Sequence, residues 1–202
     1  RSWYPLLPGM VDFHDLAKNF DIARQIVKLL NGDERPQRVL EIGAGGCLLP
    51  LCLRKLLTIE RYDVIDLPIL IPLGAANLSF FAPEVELTLP GEDRDASWLT
   101  FKPAATATQD SVADPEGYDV LVNVTSFMEM TDIQVEGYFR LIARSMRPGS
   151  LFVCVNRDVK STRFADYPWH LINGEIVVDT EDLSSRFFRD TQVILRRVIR
   201  RL

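Results

Sequence analysis

Two carboxylates and a glycine turn carry most of the chemistry in this chain. The run Glu41-Ile42-Gly43-Ala44-Gly45-Gly46-Cys47 follows a short apolar stretch, and Asp66 closes a second one about twenty residues later. Gly43 and Gly45 have no side chain, so the backbone can turn sharply there and come close to a ligand. A helix starting at Leu48 would aim its N–H groups into the same crevice. Asp66, at the end of a strand, is placed to accept from the hydroxyls of a ribose. Plainer readings exist: a turn of this kind also serves simply to pack a helix on its strand, and Asp66 also suits a helix start, where the macrodipole favours an acid.

Two kinds of nucleotide compete for such a turn. A dinucleotide fingerprint reads G-x-G-x-x-G, but position 48, where the third glycine belongs, is Leu48. A pyrophosphate gains nothing from a carboxylate directly before the turn, where Glu41 stands. S-adenosylmethionine carries no phosphate; it offers an ammonium, a sulfonium and a ribose diol, all of which favour acceptors or negative charge. Glu41 therefore suits this cofactor and disfavours a dinucleotide.

The elements that would position these groups alternate regularly. Residues Phe13 to Leu30 carry apolar side chains at Leu16, Phe20, Ala23, Ile26, Val27 and Leu30, which is helical spacing. Asp12 is its N-cap and Asn31-Gly32 its stop. Gln37 to Ile42 is a buried strand, Leu48 to Leu57 a helix, Tyr62 to Leu67 a strand and Ile69 to Phe81 a helix. Val85 to Leu89 and Trp98 to Lys102 both read as strands, of which the main sheet needs only one. Tyr118 to Val124 and Leu151 to Asn156 are apolar strands around a helix from Ile133 to Met146 and a turn at Arg147-Pro148-Gly149-Ser150. Glu175 to Val178 reads as a strand and about Glu181 to Phe188 as a short helix. Thr191 to Leu202 fits strand or helix. Strands alternating with helices imply right-handed crossovers, so the fold class is α/β: a doubly wound, mainly parallel, Rossmann-like sheet with helices on both faces.

On these residues the chain resembles class I S-adenosylmethionine-dependent methyltransferases. Val39-Leu-Glu-Ile-Gly-Ala-Gly-Gly-Cys resembles their first motif and Tyr62-Asp-Val-Ile-Asp-Leu-Pro their second-strand motif. Tyr118-Asp-Val-Leu-Val-Asn-Val-Thr-Ser-Phe-Met-Glu-Met and Met146-Arg-Pro-Gly-Ser-Leu-Phe-Val-Cys-Val-Asn resemble the fourth and fifth. The Asp-Leu-Pro ending and the Ser-Phe-Met-Glu-Met segment are similar to the sugar O-methyltransferase group. The resemblance covers roughly Gln37 to Asn156 and implies S-adenosylmethionine as cofactor. It places Glu41, Gly43 and Gly45 around the methionine moiety, Asp66 on the ribose, and Leu67 beside the adenine. Ala104 and Ala105, after Pro103, would line the adenine edge if Trp98 to Lys102 is the third strand. Asn123 and Thr125 would approach the methyl-transfer centre. Cys47 departs from the pattern, since the family commonly has glycine there.

Methyl transfer is an in-line displacement, so positioning supplies much of the acceleration. A hydroxyl acceptor must also lose its proton, which a positioned imidazole or carboxylate can take. The candidates are His170, in Tyr167-Pro-Trp-His after the fifth strand, and Glu129, in Phe-Met-Glu-Met after the fourth. His14, the other histidine, is a third candidate with a surface or packing role as its alternative. Tyr167 and Trp169 could stack on a sugar face. Glu129, Asp132 and Asp158 offer oxygen ligands, but their spacing marks no site, and no metal is expected.

Composition sets the outer bounds. A formal charge of −5 over 202 residues argues against a general grip on nucleic acid. The run Val64 to Phe81 is broken by Asp66, Pro68, Pro72 and Asn77, so no membrane span is expected. Cys47, Cys52 and Cys154 lack paired spacing and read as reduced thiols, which places the protein in the cytoplasm. Arg196-Arg197 and Arg200-Arg201 read as a solvated face or the rim of a homo-oligomer. One domain is expected: a helical segment at 1–36, a cofactor-binding core at 37–156 and a substrate-side segment at 157–202. The chain opens at Arg1 rather than Met, which leaves room for a longer protein. The leading reading is an O-methyltransferase acting on a sugar or small metabolite. The others are a catalytically silent methyltransferase-like binding domain and, less favoured, a nicotinamide-dependent oxidoreductase.

Overall fold

The computed structural model describes residues 13–93, 97–107, 116–158, 163–183 and 194–202. Asp12, residues 184–188 of the expected C-terminal helix and the side chain of His14 lie outside the described residues. Helix α1 (Phe13–Leu30) precedes β1 (Gln37–Ile42), α2 (Leu48–Leu53), β2 (Ile59–Asp66) and α3 (Ile71–Phe81). Next come β3 (Leu87–Thr88), β4 (Leu99–Pro103), α4 (Ala104–Ala107), β5 (Tyr118–Val124), α5 (Asp132–Ser145), β6 (Met146–Arg157), β7 (Gly174–Asp182) and β8 (Ile194–Arg201). Among the described residues the strands form one sheet in the order β3-β4-β2-β1-β5-β6-β8-β7. β1 pairs in parallel with both β2 and β5, which puts the glycine turn at the centre of the sheet, where strand order reverses. β8 alone runs against the others, antiparallel to β6 on one side and to β7 on the other.

Alternation along the strands divides the interior into two cores. Val39, Tyr62, Val64, Phe101, Val122 and Val153 face α1, α2 and α3 through Ile22, Ile26, Leu49, Leu53 and Leu78. Leu40, Ile42, Leu121 and Phe152 face the other way, toward Phe139 and Ile142 of α5 and the aromatic cluster of Phe127, Phe164 and Tyr167. Every residue of β1 and β5 is buried, as strands covered on both faces must be. α1 ends where expected, with Asn31 and Gly32 both left-handed (φ 52° and 80°), a conformation that stops a helix.

Several boundaries differ from the sequence reading. α2 stops at Leu53, four residues early, because the chain tightens into i→i+3 bonds from Lys55 to Cys52 and from Leu56 to Leu53. Arg147 to Ser150 is a bulge inside β6 and no free turn: Tyr118 pairs with Met146 and Val120 with Leu151, so the intervening residues loop out. Of Val85 to Leu89 only Leu87–Thr88 joins the sheet, at its edge beside β4. Glu181 and Asp182 belong to β7 instead of a helix, since both pair with β8. The open choice at Thr191 to Leu202 resolves to strand over Ile194–Arg201, while 191–193 lie outside the described residues. Ile194 and Val198 then enter one core and Ile199 the other.

The arginine pairs on β8 are engaged and not a solvated face. Arg196 is buried and paired with Glu181. Arg197 bonds Asp179 and lies 4.6 Å over the Trp169 ring. Arg200 donates to the Leu29 carbonyl and Arg201 to that of Ala143.

Candidate active site

A cavity of about 800 Å³ opens at the carboxyl ends of the central strands. Its floor is the glycine turn after β1. Gly43 and Gly45 are left-handed (φ 73° and 52°). A Cβ on Gly43 would lie 2.2 Å from Ser126 Oγ, whereas one on Gly45 would meet nothing within 4 Å. Gly43 is thus required by a neighbour, and Gly45 by its backbone angle. The two glycines and Gly46 all line the cavity.

Asp66 holds this turn in place. Its Oδ2 accepts from Gly45 N at 2.7 Å and its Oδ1 from Leu67 N at 2.7 Å. Burial pushes its carboxyl upward, and the N–H groups of Gly45, Leu67 and Ala44 pull it back. Glu41 lies deeper, 2% exposed, with Tyr62 donating its hydroxyl to Oε2 at 2.8 Å. Burial raises the Glu41 carboxyl to about 8, against the lowering effect of the Tyr62 hydrogen bond. An uncharged buried acid at the cavity floor is poised to ionise when a cation arrives beside it.

Helix α3 braces the turn from outside. Asn77 Nδ2 donates to the Gly46 carbonyl at 2.9 Å. The departure at Cys47 is accommodated at the same place. Cys47 is left-handed (φ 54°), buried, and does not line the cavity. Its Sγ would stand 2.6 Å from a Cβ at Gly74, so the glycine inside α3 leaves room for the thiol. The thiol therefore does not obstruct approach to the turn.

The opposite wall comes from the segment after β5. Thr125, Ser126, Glu129 and Met130 line the cavity, together with Gln134 and Tyr138 of α5. Thr131 caps α5 through a reciprocal capping box with Gln134. Leu67, Pro68, Leu70 and Leu73 form an apolar side, with Ala104 and Ala105 after β4 near them on the cavity wall. β4 does pair with β2, the condition on which those alanines were placed. Asp15, Lys18 and Asn19 of α1 complete the rim, with Lys18 paired to Asp15 at 2.9 Å.

Two expected residues fall elsewhere. Asn123 is fully buried beneath the wall and does not line the cavity; its amide donates to the Ile42 carbonyl at 2.9 Å and accepts from Asn156 at 2.8 Å. Its polar atoms are consumed by the backbone and by the Asn156 and Ser126 side chains around it. His170 is exposed and lies outside the cavity, on a short turn (Trp169–Leu171) that follows the aromatic cluster. Trp169 packs at 5.2 Å from Phe139 and 5.1 Å from Phe164, and Tyr167 is buried with them. These rings pack against one another and do not line the cavity. Glu129 remains at the cavity, exposed, on a 3₁₀ turn (Phe127–Glu129).

Among the described residues no group of three or more His, Cys, Asp or Glu side chains is arranged to hold a metal. Asp158 accepts from Phe164 N and closes its own loop. No helix among them is long and apolar enough to cross a membrane. Ser126, Tyr62, Gly74, Asn77, Tyr138 and Asn156 were not singled out from the sequence. Only Gly74 left a signal, because glycine inside a helix costs about 0.5–1 kcal/mol and implies a close neighbour.

No protein-family model and no curated protein sequence matches the chain. Solved structures do. Magnesium protoporphyrin IX methyltransferase from Synechocystis PCC 6803, with S-adenosylmethionine bound, superposes with a TM-score of 0.62 at 15% identity, over 99% of this chain and 89% of that one. The N-methyltransferase NodS from Bradyrhizobium japonicum WM9 gives 0.57 at 15% identity, over 95% and 99%. The [4+2]-cyclase SpnF gives 0.61 at 13% identity, over 90% and 80%. The chain has the Rossmann-like α/β fold of the class I S-adenosylmethionine-dependent methyltransferases.

Proposed function

We propose that the chain is an S-adenosylmethionine-dependent O-methyltransferase whose acceptor is a hydroxyl of a sugar or another small polar metabolite. The observation that carries this reading is the convergence of Glu41, Gly43, Gly45 and Asp66 on one cavity at the switch point of the sheet. The residues fit the cofactor. Glu41 is a buried acid suited to the methionine ammonium, Asp66 ends β2 where a ribose diol would sit, and Leu67, Ala104 and Ala105 offer an apolar slot for the adenine. When bound, the cofactor supplies an electrophilic methyl group on a sulfonium.

This chain's own residues supply position and proton acceptance. Thr125, Ser126, Asn19 and Gln134 provide a polar wall for a hydroxylated acceptor. Glu129 is the carboxylate at that wall and takes the acceptor proton as the hydroxyl attacks. Neither macromolecular nor membrane partners enter this reading.

Calorimetric titration with S-adenosylmethionine, followed by transfer of a labelled methyl group to a panel of sugars, tests the proposal. A folded chain that fails to bind at millimolar cofactor would sink it. Glu129→Gln should lower methyl transfer about 10²-fold or more with cofactor affinity retained, the usual yield of a general base. His170→Ala should leave both unchanged; a large rate loss there would move the base off Glu129.

A further inference from the structure

Thr125 follows β5 directly with φ of 54°, a left-handed conformation that a β-branched residue adopts only under constraint. The constraint is visible. Thr125 N donates to the Val155 carbonyl of β6 at 2.7 Å. Below it, Asn123 and Asn156 are both fully buried and joined by Asn156 Nδ2 donating to Asn123 Oδ1 at 2.8 Å. Asn123 also donates to the Ile42 carbonyl of β1 and to Ser126 Oγ, and accepts from Phe127 N. Asn156 accepts from Met128 N at 3.3 Å. The amide pair therefore ties three strands to three consecutive residues of the turn, Ser126, Phe127 and Met128.

Neither asparagine lines the cavity, yet Thr125, Ser126, Glu129 and Met130 all do. We propose that Asn123 and Asn156 are positioning residues that hold the turn 125–129 in its strained conformation, so that Thr125 stands at the cavity wall against the bound cofactor and Glu129 beside the acceptor. Strain persists only where surroundings over-determine it, and it collects at sites that need preorganisation. The inference rests on the reading that this cavity takes S-adenosylmethionine.

A double-mutant cycle between Asn156→Ala and Thr125→Gly tests it, read by calorimetric affinity for S-adenosylhomocysteine and by thermal melts. Glycine adopts the left-handed region freely. Thr125→Gly should therefore raise Tm by ~2–4 °C. Asn156→Ala should weaken affinity roughly tenfold, and that loss should shrink in the Thr125→Gly background, because a turn without strain needs no clamp. Global destabilisation would not change the affinity of the folded fraction, nor would a glycine rescue it. Additive effects, or a lower Tm for Thr125→Gly, would overturn the proposal. Should Asn156→Ala not fold, Asn156→Ser takes its place in the same cycle. If the unaltered chain binds no S-adenosylhomocysteine, the cofactor reading fails and the positioning role falls with it. Binding with additive mutants removes the positioning role alone.

Discussion

Glu41 concentrates the electrostatics of the site in one residue. Its folded carboxyl titrates near 8, against an ordinary value of 4.5, so between those limits the folded chain binds a proton that the unfolded chain has lost. Stability from this group is full below about 4.5 and is lost as pH rises through about 8. Melting of the ligand-free chain should decline over that window, and Glu41→Gln, which keeps an acceptor for Tyr62, should flatten the decline. The same ionisation works the other way for the cofactor. A cation beside Glu41 favours the carboxylate, so binding should release a proton and affinity should climb with pH up to about 8. Calorimetry in buffers of different ionisation enthalpy reads that proton directly. An unchanged affinity for Glu41→Gln at high pH would remove the carboxylate from cofactor recognition.

At the scale of elements, the site depends on how α3 meets the turn after β1. Gly→Ala in an exposed helix normally stabilises by about 1 kcal/mol. Gly74→Ala should do the opposite, because its Cβ would stand 2.6 Å from Cys47 Sγ and 3.1 Å from the Gly45 carbonyl. Combining it with Cys47→Gly should restore stability, since the second change removes the thiol and relieves a left-handed cysteine. Thermal melts of the two single variants and the pair would show the compensation. Equal, independent losses would mean that the contact between helix and turn is not what limits packing there.

For the molecule as a whole, ligand binding should appear as stability. A ligand at a hundred times its Kd adds about 2.7 kcal/mol to a chain that binds it only when folded. At this chain length that corresponds to about 5–10 °C in Tm. S-adenosylmethionine should produce such a shift and NAD should not, which separates the methyltransferase reading from the oxidoreductase one in a single melt series. SpnF has the same fold and is a cyclase. Fold alone therefore does not assign chemistry; the residues at the cavity do.

Much of the architecture was legible in local pattern. Val39 to Ile42 and Tyr118 to Val124 read as buried strands because strands covered on both faces are near-continuous apolar runs, interrupted here only by Glu41, Asp119 and Asn123. Asn31-Gly32 read as a stop because those residues tolerate left-handed angles. The glycine turn and the acid at the end of β2 were legible for the same reason: each is demanded by backbone geometry close in sequence. What the sequence could not decide depends on partners far along the chain. β8 alternates cleanly only once β6 and β7 flank it, and Arg147 to Ser150 became a bulge through pairing on either side. His170 and Asn123 carry suitable chemistry, yet tertiary packing put one outside the cavity and the other beneath its wall. A side chain's type states what it can do. Only the contacts of distant elements settle which atoms remain free to do it.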